Sequence, residues 1–417
     1  MSSAQLLLKN CRLIAHPTDI PPVDIAIDAG RIIAIGANLP HSSQQTIDVK
    51  GQLVSPPLIE SHVHLDTALT AGEPRWNQSG TLFEGIEIWR DRKQELSQAD
   101  VKRRAIEVLK MQAQQGVLFV RSHADVSESS LTSLKALLEV REAVKDWITL
   151  QVVAFPQDGV YGAPGNPERL EEALKLGADV VGGIPHYELT REDGVRSIEY
   201  IFDLAQRYDR LIDVHCDEID DDQSRFVEVM AACAIRSGMG RRVTASHTTA
   251  MGSYNNAYAF KLMGFLVRSQ MNFVANPLVN ITLQGRMDSY PKRRGITRVK
   301  ELWQNGLNLS LGHDDIQDPW YSLGTGNMLD VAAMAIHVSQ MTGIDEINAC
   351  YDMVTTHAAR TLHLPAYGIA PERPANLIVL DAHSRYDAMR RRPTIRQVIS
   401  QGQLLVETQP AVTHWHV

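Results

Sequence analysis

Residues 58–66 read LIESHVHLD: a short apolar run, then His62 and His64 with one residue between them. In an extended chain, side chains two apart point to the same side. Two imidazoles therefore project together from what reads as the carboxyl end of a strand. The chain beyond repeats the unit. "SQADVKRRAIEVLKMQAQQG" (97–116) has a Ser N-cap, an acid three residues on and a closing Gly, which predicts a helix. "VLFV" (117–120) follows as a buried strand. Then come helix 132–145, strand 148–155, helix 168–176, strand 179–183 and helix 194–208 leading to "LIDV" (211–214). Helix 223–237 leads to "VTAS" (243–246), and helix 255–268 leads to "NFVAN" (272–276). A short helix at 299–304 leads to "LNLSLG" (307–312). With the strand before His62, that makes eight strands separated by helices. Eight β/α units fit a (β/α)8 TIM barrel better than an open doubly wound sheet.

The two ends of the chain differ from this middle. "QLLLKNCRLIA", "VDIAIDAGRIIAIG" and "TIDVKGQLV" near the start are β-rich and punctuated by Gly and Pro, and so are "ANLIVLDA" (375–382) and "VISQGQLLVET" (398–408). They predict a small β-sandwich built from both termini. Residues 1–56 and 371–417 form it, and residues 57–370 form the barrel.

Composition sets the class. The 417 residues are 44% hydrophobic and 22% charged, enough for one large core and a smaller one. A net charge of −8 gives no electrostatic reason to expect nucleic acid or an anionic membrane as partner. "PKRRG" (291–295) and "RRR" (390–392) read as solvated loops. The four cysteines lie far apart without a CxxC, so neither a zinc knuckle nor a disulfide framework is indicated. No run approaches a membrane span and no leader pattern is seen, so a reduced, cytoplasmic compartment is expected.

Polar residues follow the strands in order. Strand 1 ends in His62 and His64, strand 2 in His123, and strand 3 in "FPQ" with Gln157. Strand 4 ends in His186, strand 5 in "HCDE" with His215 and Glu218, and strand 6 in His247. Strand 7 ends in Asn276, and strand 8 in "HDD" with His313, Asp314 and Asp315. Barrel active sites lie at the carboxyl ends of the strands. Neutral imidazoles and a carboxylate suit Zn(II) or Fe(II), and such an ion makes hydroxide available near neutral pH. HxH alone is weak; HxH followed by two further strand-end histidines and a strand-end Asp is strong. His123 and His186 read as supporting residues. His313 reads as a residue that orients its neighbours, and His357 as a packing residue. The Cys216 thiol reads as core, and no function is assigned to the closing "HWHV".

This order of residues resembles the amidohydrolase superfamily. Within it, "HLDTALTAGEPRWNQSGTLFEGIEIW" (64–89), "LIDVHCDEIDDDQSRF" (211–226), "VTASHTTAM" (243–251), "NFVANPLVNITLQGR" (272–286), "YPKRRGITRVKE" (290–301) and "GHDDIQDPWY" (312–321) resemble the bacterial cytosine deaminases. The resemblance implies one divalent ion, Fe(II) or Zn(II), held by His62, His64, His215 and Asp314. It implies Glu218 as proton shuttle, His247 beside the attacking water, and Asp314 as base for that water. It also implies Gln157 paired with the base edge, Leu82 offering backbone contacts, and Asp315 with Trp320 shaping the wall near the ring. The two-metal relatives bridge their ions with a carboxylated strand-4 lysine. "ADVVGGIPH" has none, which points to a single ion and away from dihydroorotase or hydantoinase chemistry.

The residues support these roles independently. A deaminase must generate hydroxide, protonate a ring nitrogen and protonate the leaving amine, so it needs a carboxyl that both accepts and donates a proton. Glu218, three residues past His215, can face the same cavity. An oriented amide such as Gln157 can donate and accept at once, matching the carbonyl and N–H edge of a pyrimidine. The other deaminase solution carries an HxE and PCxxC signature, and no PCxxC exists here. The expected reaction is cytosine to uracil and ammonia, in pyrimidine salvage, with attack of metal-activated water at C4. The alternatives are the same chemistry on 5-methylcytosine, isoguanine or a creatinine-like ring, and a non-catalytic assembly protein on the same scaffold. The latter usually lacks ligands or the acid/base, and here none is missing. The partner is then a small nucleobase, and the resemblance implies a homo-oligomer of hexameric size.

Overall fold

The computed structural model describes residues 3–15, 19–409 and 411–416; the remainder of the expected end segments, including Val417 of "HWHV", lies outside the described residues. Five strands precede and include the approach to the barrel: β1 (Ser3–Leu13), β2 (Val23–Asp28), β3 (Arg31–Gly36), β4 (Ser42–Asp48) and β5 (Leu53–Ser55). The barrel strands follow as β6 (Leu58–Val63), β7 (Val117–Asp125), β8 (Thr149–Phe155), β9 (Val180–Gly183), β10 (Leu211–Cys216), β11 (Val243–His247), β12 (Asn272–Ala275) and β13 (Asn308–Leu311). Each pairs in parallel with the next. β6, β9, β10, β11 and β12 carry almost no exposed position, because helices cover the outside and side chains fill the inside.

The barrel closes where β6 meets the residues after β13. Asp314 N–H donates to His62 O (2.8 Å), and His64 N–H donates to Asp314 O (3.0 Å). Gly312 makes this approach feasible: a Cβ there would stand 2.7 Å from the His62 Cβ.

The helices form where the sequence supplies caps. Ser97 accepts from Asp100 N ahead of helix Gln98–Gln114, and Thr190 accepts from Asp193 N ahead of helix Arg191–Arg207. The second helix thus begins three residues before the expected 194, because its cap is a Thr that the apolar periodicity alone does not mark. One expectation is corrected in substance. Strand β7 does not end before His123; it continues paired to β8 through Asp125↔Phe155. His123 therefore lies inside the ladder rather than on the rim.

The remaining strands, β14 (Leu377–Leu380), β15 (Ile395–Ser400) and β16 (Gln403–Glu407), join those of the N-terminus. The sheet order is β16-β15-β14-β5-β1-β2-β3, with β4 beside β1. Its separate apolar core combines Leu6, Leu8, Ile25 and Ile27 from one end with Leu377, Val379 and Ile399 from the other. Each such side chain contributes about 1.5–3 kcal/mol by burial. Among the described residues, no helix is long and apolar enough to cross a membrane.

Candidate active site

The closing seam brings the expected ligands together. His62 Nε2 lies 3.4 Å and His64 Nε2 3.6 Å from Asp314 Oδ1. His64 Nε2 and His215 Nε2 face each other at 3.0 Å. His62 Nε2 is buried without a hydrogen-bond partner. Four ligand atoms around one tetrahedral zinc stand roughly 3.3 Å apart, given Zn–N distances of about 2.0–2.1 Å. The measured separations bracket that value; His62, His64 and Asp314 bring their ligand atoms within 4.8 Å of one another, and His215 joins them through His64, so this cluster can hold a divalent ion. Burial holds every one of these imidazoles below its usual 6.5, His64 at about 3, so they are neutral and ready to coordinate. Asp314 is pushed well above the carboxylate range by burial, then by Glu218, Asp318 and Glu60 nearby. A buried cluster of neutral imidazoles and crowded carboxyls lacks positive charge, and a divalent cation supplies it.

Glu218, the expected acid/base group, lies on one side of this cluster. Glu218 Oε1 is 3.2 Å from His247 Nδ1, which is 3.8 Å from Asp314 Oδ2. The two oxygens of Asp314 thus divide their duties: Oδ1 faces His62 and His64, and Oδ2 faces His247. Burial alone raises the Glu218 carboxyl to about 8. Asp217 pins the segment that carries Glu218, accepting the N–H groups of Phe226 and Val227 at the start of helix Phe226–Ser237 and the Ser224 hydroxyl. Asp220 accepts the Gly285 N–H. The acidic run "DEIDDD" therefore sets the expected proton carrier, Glu218, between anchoring residues.

His247 and Asp314 carry φ of 68° and 72°, in the left-handed region that non-glycine residues rarely occupy. Such backbone strain persists only where the surroundings over-determine it. Here strand pairing on one side and the ligand cluster on the other impose it.

The cavity above the cluster is lined by His64, Leu82, Gln157, Ile184, His215, Glu218, Leu283, Asp314, Asp315 and Trp320. Every substrate-contact residue expected from the sequence is among them. Gln157 is 6% exposed and its amide makes no hydrogen bond within the described residues, so both of its ends are free for a ligand. Trp320 Nε1–H donates to Leu82 O (3.2 Å), tying that carbonyl to the wall. Asp318 accepts the N–H groups of Trp320 and Tyr321 and the Thr67 hydroxyl, and shares a hydrogen bond with Asp315.

Other histidines divide as follows. His123 lies beneath the cluster, 4.0 Å from the His62 ring, with neither nitrogen bonded. His186 also lacks partners. His313 holds its own loop, with Nδ1 3.0 Å from Asp315 O and Nε2 accepting the Thr325 N–H. His357 bonds Leu309 O, as a packing residue does.

Some residues escaped the sequence reading. Asn280 Nδ2 lies 3.0 Å from His247 Nδ1 and 3.4 Å from Glu218 Oε1, and Asn276, expected only as the end of strand 7, also reaches His247 through Nδ2. Their four-residue spacing, in "NPLVN", is the signal that puts both on one side of a helix. Ser246, Asp213 and Arg121 were also missed. They lie buried under His62: Ser246 Oγ is 3.1 Å from His62 Nδ1 and 2.6 Å from Asp213 Oδ1. The signal was alternation, since Arg121 and Asp213 stand two residues before His123 and His215.

A profile of the amidohydrolase family matches residues 45–406. The chain belongs to the amidohydrolase family. This amidohydrolase is similar in structure to 5-methylcytosine deaminase from Klebsiella pneumoniae liganded with 5-fluorocytosine, at 47% identity and a TM-score of 0.95, covering 98% of this chain and 99% of that one. It is 30% identical over 396 residues to N-isopropylammelide isopropyl amidohydrolase of Pseudomonas sp. (strain ADP), covering 93% of this chain and 94% of that protein. It is 27% identical to a pterin deaminase of Rhizobium rhizogenes, covering 87% and 83% respectively. The strand-4 lysine of two-metal amidohydrolases has no counterpart: β9 reads VVGG, and Lys175 lies in the preceding helix, ion-paired to Glu171.

Proposed function

We propose that this amidohydrolase is a hydrolytic deaminase of a 4-amino-2-oxopyrimidine, with cytosine as substrate and uracil and ammonia as products. One observation carries the reading: Glu218, His247 and Asp314 bring their nitrogen and oxygen atoms within 4.8 Å of one another, in a cavity that also presents the unpaired Gln157 amide. His62, His64, His215 and Asp314 would hold a divalent ion, Fe(II) or Zn(II), which would lower the pKa of water so that hydroxide is available at neutral pH.

Gln157 accepts from and donates to the N–H and carbonyl edge of the ring, and Leu82 O offers its second lone pair. Asp314 takes the proton of the attacking water through the oxygen that faces His247. His247, held by Asn276 and Asn280, orients that water toward C4. Glu218, protonated at neutral pH because burial raises it to about 8, gives its proton to N3. Its carboxylate then takes the proton of the C4 hydroxyl and passes it to the amino group as the carbonyl forms; ammonia leaves, and the water proton held on Asp314 returns to Glu218.

A second reading, 5-methylcytosine as substrate, is favoured by the resemblance to the Klebsiella deaminase. Against it we set Asp315, whose buried carboxyl is bonded to Asp318 in the cavity lining; it is the residue expected to meet C5, and it would crowd a methyl group there. An ammonia-release screen over cytosine, 5-methylcytosine, isoguanine and creatinine, with defined metal loading, tests both. Cytosine is expected to give the highest kcat/KM; release from none of the four rings overturns the proposal.

A further inference from the structure

Beneath His62 runs a buried chain of polar side chains that crosses the barrel and touches no substrate-facing residue. Ser246 Oγ lies 3.1 Å from His62 Nδ1 and donates to Asp213 Oδ1 at 2.6 Å. Arg121 Nη1 donates to the other oxygen, Asp213 Oδ2, at 2.9 Å. Arg121 is fixed in turn by Gln151 Oε1 (3.1 and 3.0 Å) and Thr361 O (3.0 Å), and Gln151 donates to Leu362 O (2.7 Å). Ser246, Asp213, Arg121 and His62 are all fully buried. Barrel interiors are usually filled by branched apolar side chains. Burying an ion pair there is costly, so this layer calls for a purpose.

We infer that Ser246, positioned by Asp213 and Arg121, sets the tautomer of His62 and thereby its affinity for the divalent ion; the inference rests on the metal reading above. Proton counting carries it. An arginine side chain is always charged, and Asp213 sits against it at 2.9 Å as the anion. A carboxylate only accepts, so the single Ser246 proton goes to Asp213. That leaves the Ser246 oxygen with lone pairs toward His62 Nδ1, which must therefore carry hydrogen. The His62 lone pair is then on Nε2, the atom that has no partner and faces Asp314 Oδ1 at 3.4 Å. The wrong tautomer would aim an N–H at the ion and could not coordinate. Ser246 is a positioning residue, two bonds removed from the chemistry. His215 has no such support, since its Nδ1 is unbonded, so the effect is specific to His62.

The test uses the full chain, Zn(II) alone and Ser246→Ala. Zn(II) affinity is measured by competition with a chromophoric chelator, and the His62 tautomer by 15N shifts of histidine-labelled, metal-free protein. The expected result is a wild-type His62 with hydrogen on Nδ1, and a 10–100-fold weaker Zn(II) affinity in Ser246→Ala. A variant that binds within twofold of wild type overturns the inference. So does a wild-type His62 carrying hydrogen on Nε2, a result that stands even if the variant fails to fold. A wild type with the expected tautomer that holds no stoichiometric Zn(II) instead overturns the metal reading and the affinity half of this inference with it, leaving the tautomer assignment standing.

Discussion

Glu218 sits at the point where burial, His247 and Asn280 converge, and its carboxyl is raised to about 8. An amide in its place keeps the shape and loses the proton. Glu218→Gln should retain stoichiometric metal while kcat falls by about 10²–10⁴, checked by steady-state kinetics beside metal analysis. Near-normal turnover would remove Glu218 from the mechanism. On the proposed reading, Asp315 acts on selectivity instead. Asp315→Ser should raise 5-methylcytosine turnover relative to cytosine by roughly 10–200-fold, the range one methyl group commands in a tight pocket; the ratio of kcat/KM values reads it directly. At this scale the clustered residues were legible, because His62, His64, His215 and Asp314 each come at the end of a strand. Ser246, Asp213 and Arg121 were not, because their partnership is made between strands far apart in the chain. Nothing local in "VRSH" or "IDVH" says which neighbour each will meet.

Helix Leu82–Arg92 illustrates how an element controls the site it covers. It is capped by Thr81, and its Gly85 lies under the Trp320 ring, where a Cβ would stand 2.4 Å from the indole Cδ1 and Nε1. Alanine would favour the isolated helix by up to about 1 kcal/mol, yet it must displace Trp320 and break its bond to Leu82 O. Gly85→Ala is therefore expected to raise KM about tenfold with kcat less affected, and to shift the fluorescence of the protein as the indole moves. An unchanged KM would show that the wall does not depend on this contact. Barrel elements were predictable to within a few residues because buried parallel strands read as short β-branched runs and their helices carry caps. β7 was the exception. Its apolar run stops at Val120, but its ladder continues through Arg121, His123 and Asp125, whose polarity marks the barrel interior rather than a strand end.

The metal-free molecule has a pH profile set by opposing groups. His62, His123, His215 and His247 are held below 6.5 by burial, and His64 at about 3. The unfolded chain binds those protons first, so stability is lost as pH falls below 6.5. Glu60 and Glu218 are raised from 4.5 to about 8. The unfolded chain releases those protons first, so stability is also lost as pH rises from 4.5 toward 8. The two trends oppose each other between 4.5 and 6.5, and only the carboxyl loss operates above 6.5. A bound cation reduces that loss, because its charge favours the ionised form of the carboxyls around it. Melting temperatures should therefore fall between pH 6.5 and 8 in chelated protein and fall less in Zn(II)-loaded protein; parallel curves would refute the charge argument. A different consequence follows from β5 pairing with β14. The two strands are separated by about 320 residues. At a synthesis rate of about 5–20 residues per second, the first-made strands wait roughly 15–65 seconds for the neighbours that complete their core. Leu6, Leu8, Ile25 and Ile27 remain uncovered from that side for the whole interval. The pace of the ribosome, and whatever shelters a nascent chain during that delay, are thereby part of how this enzyme reaches its native state.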